Sequence, residues 1–125
     1  MISFEGFVIG EGIPIYQQIL LFIKRGAVAG TIADGEELPS RRVLSALMGV
    51  NPNTIQKAYR MLEEEGLIQS RSGAKSCMVL GEERVTQLRR ELLEGDVKQI
   101  VYRMRQMGIS KHDAIDLLET YWDEV

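Results

Sequence analysis

Hydrophobic residues recur at helical spacing near the start of the chain. Apolar side chains follow Ile15 after four, seven and eight positions, the period of a helix with one apolar face. Pro14 suits the start of this helix, because its φ is already helical and its missing N–H is not needed there. Glycines at 26 and 30 weaken the pattern, so a helix is predicted over 14–29. The residues before it predict an irregular segment or a short edge strand.

Two further helices are predicted in close succession. Ser40 can cap a helix over 41–48, which Gly49 can end in the left-handed conformation. Asn51 can then cap a helix over 52–65 that begins with a proline. Two helices joined by about three residues that include a glycine are typical of a helix-turn-helix.

The second of these helices has two different faces. Its apolar residues share one side, and the opposite side carries two amides and two cations, namely Asn53, Gln56, Lys57 and Arg60. These side chains match base edges and phosphate oxygens in a major groove. Such a face is also common on helices that merely face water. Its place in the N-terminal half of a second helix favours the DNA interpretation.

The next segment predicts a β-hairpin. Extended stretches at 67–70 and 77–80 flank a polar loop that contains Arg71, Gly73 and Lys75. A hairpin directly after a recognition helix is typical of the wing of a winged helix, whose cations reach phosphates. The alternative is an ordinary two-stranded loop.

The remaining residues predict a long helix and a last helix capped by Ser110, and they leave open whether the long helix bends or breaks near Gly95. Their apolar stripes exceed what these helices can bury alone. They must fold back on the chain or pair with a second copy, and the predicted dimer interface comprises Leu93, Val97, Ile100, Met104, Ile115, Leu118, Tyr121 and Trp122.

Composition and charge restrict the function. The 125 residues are 45% hydrophobic, which predicts a folded chain of one ordinary domain or of one small domain with an appendage and excludes a large two-domain enzyme. No apolar run is long enough to span a membrane, and no secretory signal is evident, so a cytoplasmic protein with no membrane partner is expected. The net charge of −3 lies entirely in 81–125, whereas 40–77 is locally basic.

Catalytic chemistry is poorly represented. His112 is the single histidine and Cys77 the single cysteine, so neither a histidine-based metal cluster nor a nucleophile with a base is predicted. Cys77 is better explained as a small hydrophobic residue of a strand. We therefore expect no enzymatic activity, no metal and no cofactor.

An ordered series of motifs carries a family resemblance. PIYQQI, followed by LPSRRVLSALMGVNPNTIQKAYRMLEEEGLI, closely resembles the N-terminal winged-helix domain of GntR-family bacterial transcription regulators over about residues 13–80. The short helical tail is similar to the YtrA-like branch. The resemblance implies a mostly α fold with a small β-hairpin: a winged helix-turn-helix over 1–80, then a helical region over 81–125 that forms homodimers.

The resemblance also implies site residues. The family's arginine of the L-P-S segment corresponds to Arg42, and its recognition-helix contacts to Asn51, Asn53, Thr54, Gln56 and Lys57. Gly73 corresponds to the wing tip. Pro52 replaces a polar reader of many members, and the usual second glycine of the wing is missing. The full predicted DNA interface is Ser40, Arg41, Arg42, Asn51, Asn53, Thr54, Gln56, Lys57, Arg60, Arg71, Gly73 and Lys75.

These observations predict a sequence-specific regulator that binds double-stranded DNA. The resemblance implies a homodimer on a palindromic operator and repression of a nearby operon, and it leaves open a small-molecule effector bound by the tail. The alternative is a winged-helix module that docks another protein. Salt dependence separates the two, because phosphate contacts weaken steeply with salt and an apolar protein interface does not.

Overall fold

The computed structural model describes residues 1–71 and 75–125. In these ranges the elements follow the order α1 (Ile15–Ala29), α2 (Arg41–Met48), α3 (Pro52–Glu64), β1 (Ile68–Arg71), β2 (Lys75–Met78), α4 (Glu82–Gln106) and α5 (Lys111–Tyr121). The chain divides into two compact units, Met1–Arg89 and Arg90–Val125. The winged helix-turn-helix with a helical C-terminal region is thus confirmed.

Local capping signals set the ends of α2 and α3. The Ser40 hydroxyl accepts a hydrogen bond from the backbone N–H of Val43 at 3.1 Å, and the Asn51 side chain accepts one from the N–H of Asn53 at 2.8 Å. Gly49 ends α2 with a φ of 65°, in the left-handed region. The predicted caps are therefore confirmed, and Pro14 precedes α1 rather than belonging to it.

The core of the first unit lies between α1, α2 and α3. Their apolar faces meet there, and the side chains without solvent exposure include Ile19, Ile23, Leu44, Ile55 and Leu62. The N-terminal segment is irregular rather than a strand, and it covers one side of α1 through contacts of Phe4 and Phe7 with Phe22. Leu88 of α4 is also buried in this core.

The two strands have the predicted length but lie nearer to the loop, β1 one residue later and β2 two residues earlier than predicted. β1 pairs with β2 in antiparallel register, with Ile68 opposite Met78 and Arg71 opposite Lys75. The residues before α2 add to the same sheet along β2. The Leu38 N–H donates to the Ser76 carbonyl, and the Met78 N–H donates to the Glu36 carbonyl, both at 2.9 Å. The sheet therefore ties the hairpin to the segment that leads into α2.

The C-terminal helices agree with the prediction, and the structure answers the question that was open at Gly95. α4 runs from Glu82 to Gln106 without interruption, so the break considered near Gly95 is absent. A helical glycine costs only about 1 kcal/mol relative to alanine, which the rest of the helix tolerates. Ser110 caps α5 by accepting from the N–H of Asp113 at 3.2 Å, as predicted. None of the described helices is long and apolar enough to cross a membrane.

Candidate nucleic-acid interface

A buried serine fixes the turn between α2 and α3. Ser45 of α2 donates its hydroxyl to the carbonyl of Val50 at 2.5 Å, and the Val50 N–H donates back to the Ser45 carbonyl at 3.1 Å. Val50 itself is buried. These two bonds hold the end of α2 against the start of α3, so the two helices present a single surface.

Tyr59 connects α3 to the segment before α2. Its side chain is 1% exposed, and its hydroxyl donates to the carbonyl of Pro39 at 2.7 Å. Burial raises the pKa of the Tyr59 phenol, and the positive charge of Arg41 partly offsets this rise. The phenol therefore stays protonated at neutral pH and acts as a hydrogen-bond donor.

Arg41 packs on this tyrosine. Its guanidinium lies 5.1 Å from the centre of the Tyr59 ring, and its Nε is buried with no hydrogen-bond partner in the described part of the chain. A guanidinium over a ring is stabilised by the ring quadrupole. Because the Nε of Arg41 is buried, the predicted contact of Arg41 with DNA is left to its two terminal guanidinium nitrogens.

The exposed face of α3 has the composition expected from the sequence. Ile55, Ala58, Tyr59 and Leu62 are buried, and the polar residues Asn53, Gln56, Lys57 and Arg60 are exposed. Thr54 is half-buried beside them. Because the oxygen of the Asn51 side chain caps α3, its NH₂ group is the part left to face a ligand.

The predicted cations differ in their contacts with other side chains. Arg42 is exposed, with no ion-pair partner among residues 1–71 and 75–125. Lys57 places its ammonium 4.1 Å from the centre of the Tyr16 ring. Arg60 and Lys75 each pair with a carboxylate at the surface, Glu64 at 4.0 Å and Glu37 at 3.5 Å. Exposed pairs of this kind contribute about 0–1 kcal/mol, so little free energy is lost when either cation leaves its carboxylate for another anion.

Several predicted site residues come together, and others are not described. Ser40, Arg41 and Arg42 share the start of α2, and the α3 residues lie on one face. Arg71 and Lys75 occupy paired positions on β1 and β2. The predicted wing tip at Gly73 lies outside the described residues. The sequence did not indicate that Tyr16 and Tyr59 support cations of this surface, because only the fold places their rings against Lys57 and Arg41.

The second unit exposes most of its apolar side chains. No residue from 90 to 125 is buried, although this range is fully described. Trp122 is 77% exposed, and Leu93 and Val97 are more than half exposed. Met104, Leu118, Tyr121 and Trp122 line a cavity of about 550 Å³ with Leu117 and Val125. The predicted interface residues therefore stand on surfaces that this unit leaves uncovered.

One group of potential metal ligands occurs in α5. The side chains of His112, Asp113 and Asp116 place one ligand atom each within 4.8 Å of one another. The three residues lie within one turn of α5, where no metal cluster is predicted from the sequence. All three are exposed, His112 pairs with Asp116 at 3.4 Å, and the positive end of a helix disfavours a cation. We therefore do not assign a metal site to these three residues.

Comparison with known proteins gives a consistent result. The family model "Bacterial regulatory proteins, gntR family" matches residues 15–76. The transcriptional repressor YtrA of Bacillus subtilis is 35% identical over 101 residues, which cover 81% of this chain and 73% of the relative. A GntR family transcriptional regulator from Listeria monocytogenes has a TM-score of 0.80 at 31% identity, covering 90% of this chain and 98% of that structure.

A third similarity concerns DNA. The DNA-binding domain of AraR, solved in complex with an operator, has a TM-score of 0.51 at 26% identity and covers 57% of this chain and 93% of that structure. The family and its characterised relatives are transcription regulators rather than enzymes. The chain is therefore a DNA-binding transcription regulator of the gntR family, and within it a YtrA-like member.

Proposed function

We propose that this regulator represses transcription by binding a palindromic operator as a homodimer. The observation that carries the proposal is the exposed face of α3, where Asn53 and Gln56 stand beside Lys57 and Arg60 on a helix whose other face is buried. Amides read adenine edges, and cations read guanine edges or neutralise phosphates. Repression is suggested by the similarity to YtrA, which is named a repressor.

We assign two roles within this surface. Arg42 lies exposed at the start of α2, which crosses the DNA backbone in helix-turn-helix complexes, so it contacts phosphate. Gln56 lies on the exposed face of α3 and reads bases. Arg71 and Lys75 occupy paired positions on β1 and β2, and we assign them further contacts to the DNA backbone. The predicted contact at Gly73 lies outside the described residues.

The first experiment is a fluorescence-anisotropy titration of the full chain with duplex from upstream of its own gene, and with a scrambled duplex, at two salt concentrations. Tight, salt-sensitive binding that the scrambled duplex does not compete supports operator recognition. A shallow salt dependence with equal, weak binding to both duplexes would contradict it and favour a protein-docking module.

Point variants test the two roles. Arg42→Ala should weaken binding to both duplexes, whereas Gln56→Ala should lose about 1–3 kcal/mol of discrimination at one or two base pairs. Arg90→Ala, the same charge change on α4, serves as the matched control and should bind as the wild type. Equal losses on both duplexes for Arg42→Ala and Gln56→Ala would refute the assignment.

The second unit supports the homodimer. Its exposed apolar residues need a covering surface, and fully burying one such side chain gains about 1.5–3 kcal/mol. A second copy of the same helices offers a self-complementary apolar surface and places two α3 helices on two half-sites. The cavity beside Trp122 is lined by residues of this interface, so a small apolar effector bound there would compete with the second copy.

Sedimentation of single variants tests this interface. Leu118→Glu should shift the full chain toward monomer, because it buries a charge in the apolar contact. Glu119→Gln, its neighbour on α5, is the control and should leave the assembly unchanged. A monomeric wild type at working concentration, or a dimer in Leu118→Glu as stable as the wild type, would contradict this placement.

A further inference from the structure

The contact between Lys57 and Tyr16 joins the recognition helix to the first helix. The Lys57 ammonium lies 4.1 Å from the centre of the Tyr16 ring, and α1 and α3 pack against each other. Lys57 is exposed, whereas Tyr16 is half-buried at the start of α1. The Tyr16 hydroxyl accepts a hydrogen bond from the Gln17 side chain at 3.3 Å. The ring belongs to a helix that packs on α3, and the lysine rests on its face.

We propose that Tyr16 is a positioning residue for DNA binding, whose ring holds the Lys57 ammonium at the α1 edge of the α3 surface, where it neutralises a backbone phosphate. This inference rests on the proposed DNA binding by α3. It extends the interface to α1, to which the sequence analysis assigned no site residue.

The direction of the lysine decides which part of DNA it meets. Asn53 and Gln56 stand on the same exposed face of α3. The contact with Tyr16 holds the Lys57 ammonium toward α1 instead. A lysine is a compact point charge that suits phosphate, without the fork geometry that recognises guanine. Its contribution is therefore independent of base sequence.

The ring assists phosphate binding rather than competing with it. An ammonium carries three N–H donors, and a ring face occupies only one side of it. Because Lys57 is exposed, its other side remains open to a phosphate oxygen. A free lysine loses rotamer entropy when it is immobilised at an interface, and a lysine already resting on a ring loses less. An exposed cation–π contact corresponds to about a two- to fivefold gain in affinity.

A double-mutant cycle on the full chain tests the proposal. Affinities of Tyr16→Leu, Tyr16→Phe, Lys57→Ala and the Tyr16→Leu/Lys57→Ala double variant are measured on scrambled duplex at low salt and on the upstream duplex. Tyr16→Leu should weaken binding about two- to fivefold on both duplexes, and Tyr16→Phe should bind as the wild type because it keeps a ring. Lys57→Ala should also reduce the salt slope by about one.

The cycle distinguishes a Tyr16 that positions Lys57 from a Tyr16 that only stabilises the fold. In the Lys57→Ala background, Tyr16→Leu should cost no further affinity. A persistent loss there, equal or tighter binding of Tyr16→Leu alone, or a loss in Tyr16→Phe as large as in Tyr16→Leu would overturn the proposal. Because the comparison uses scrambled duplex, a wild type that lacks operator preference contradicts only the proposed function. A wild type that binds neither duplex at low salt contradicts both.

A measurement without DNA supports the cycle. The ε-methylene protons of Lys57 should show an upfield ring-current shift in the NMR spectrum of the free protein. The shift should persist in Tyr16→Phe and vanish in Tyr16→Leu. An unshifted Lys57 in the wild type would overturn the proposal, whatever the binding data show.

Discussion

Removing the Tyr59 hydroxyl tests how α3 is held against the segment before α2. In Tyr59→Phe the ring remains, but the 2.7 Å hydrogen bond to the Pro39 carbonyl is lost. Tyr59 is 1% exposed and Pro39 is buried, so water does not replace the donor. An unpaired buried carbonyl costs about 1–3 kcal/mol. We expect the free energy of unfolding in urea to fall by that amount.

The matched control is Tyr102→Phe. This change removes the same hydroxyl from a side chain that is 64% exposed and accepts a hydrogen bond from the Gln106 side chain at 3.1 Å. Its unfolding free energy should stay within about 0.5 kcal/mol of the wild type. A Tyr59→Phe variant that is as stable as this control would refute the role of the buried hydrogen bond.

The same residue predicts a dependence on alkaline pH. Burial raises the pKa of Tyr59 in the folded state, whereas the unfolded tyrosine titrates at about 10. Below pH 10 both states keep the proton, and the contribution of Tyr59 to stability is fully present. Above pH 10 the unfolded state loses its proton first, so this contribution declines as pH rises. The stability gap between the wild type and Tyr59→Phe should narrow there, and parallel curves would contradict the shift.

Three further predictions concern the backbone and are checked by the same urea titration. Ser45→Ala should lose about 1–3 kcal/mol, because the buried Val50 carbonyl loses its hydroxyl donor; a loss below 0.5 kcal/mol would argue against it. Gly49→Ala should lose about 1–2 kcal/mol, because φ of 65° is strained for alanine although no atom crowds the new methyl group. Gly95→Ala should gain about 0.5–1 kcal/mol, since Gly95 lies in open space within α4. A gain at Gly49 would contradict the explanation from strain, and a loss at Gly95 would contradict the explanation from helix propensity.

The helices could be predicted because their signals are local. Ser40, Gly49 and Asn51 mark helix ends through bonds to residues at most four positions away, and apolar spacing reports the buried faces. The continuity of α4 at Gly95 could not be predicted, since a glycine in a long helix has a small cost that its neighbours offset.

The features that the sequence did not reveal depend on distant partners. Leu38 joins the sheet by donating to Ser76, and nothing near Leu38 specifies that register. The cation–ring pairs have the same origin. Tyr16 and Lys57 are far apart in the sequence, and only the packing of α1 on α3 brings them within contact. Arg41 and Lys57 are both predicted from the sequence as DNA contacts, but the sequence does not indicate that each lies against a tyrosine ring.

The net charge of −3 does not oppose the proposed DNA binding, because charge acts locally at this surface. Three consecutive acidic residues, Glu63, Glu64 and Glu65, lie at the end of α3. Their charge is partly neutralised, because Glu65 pairs with Lys24 at 2.8 Å. Arg42 and Lys57 face outward without a carboxylate partner in the described residues, and Arg60 and Lys75 hold only weak surface pairs. We expect two to four phosphate contacts for each chain, which correspond to a salt slope of about −2 to −4 per chain. A slope near zero would mean that this face does not meet DNA.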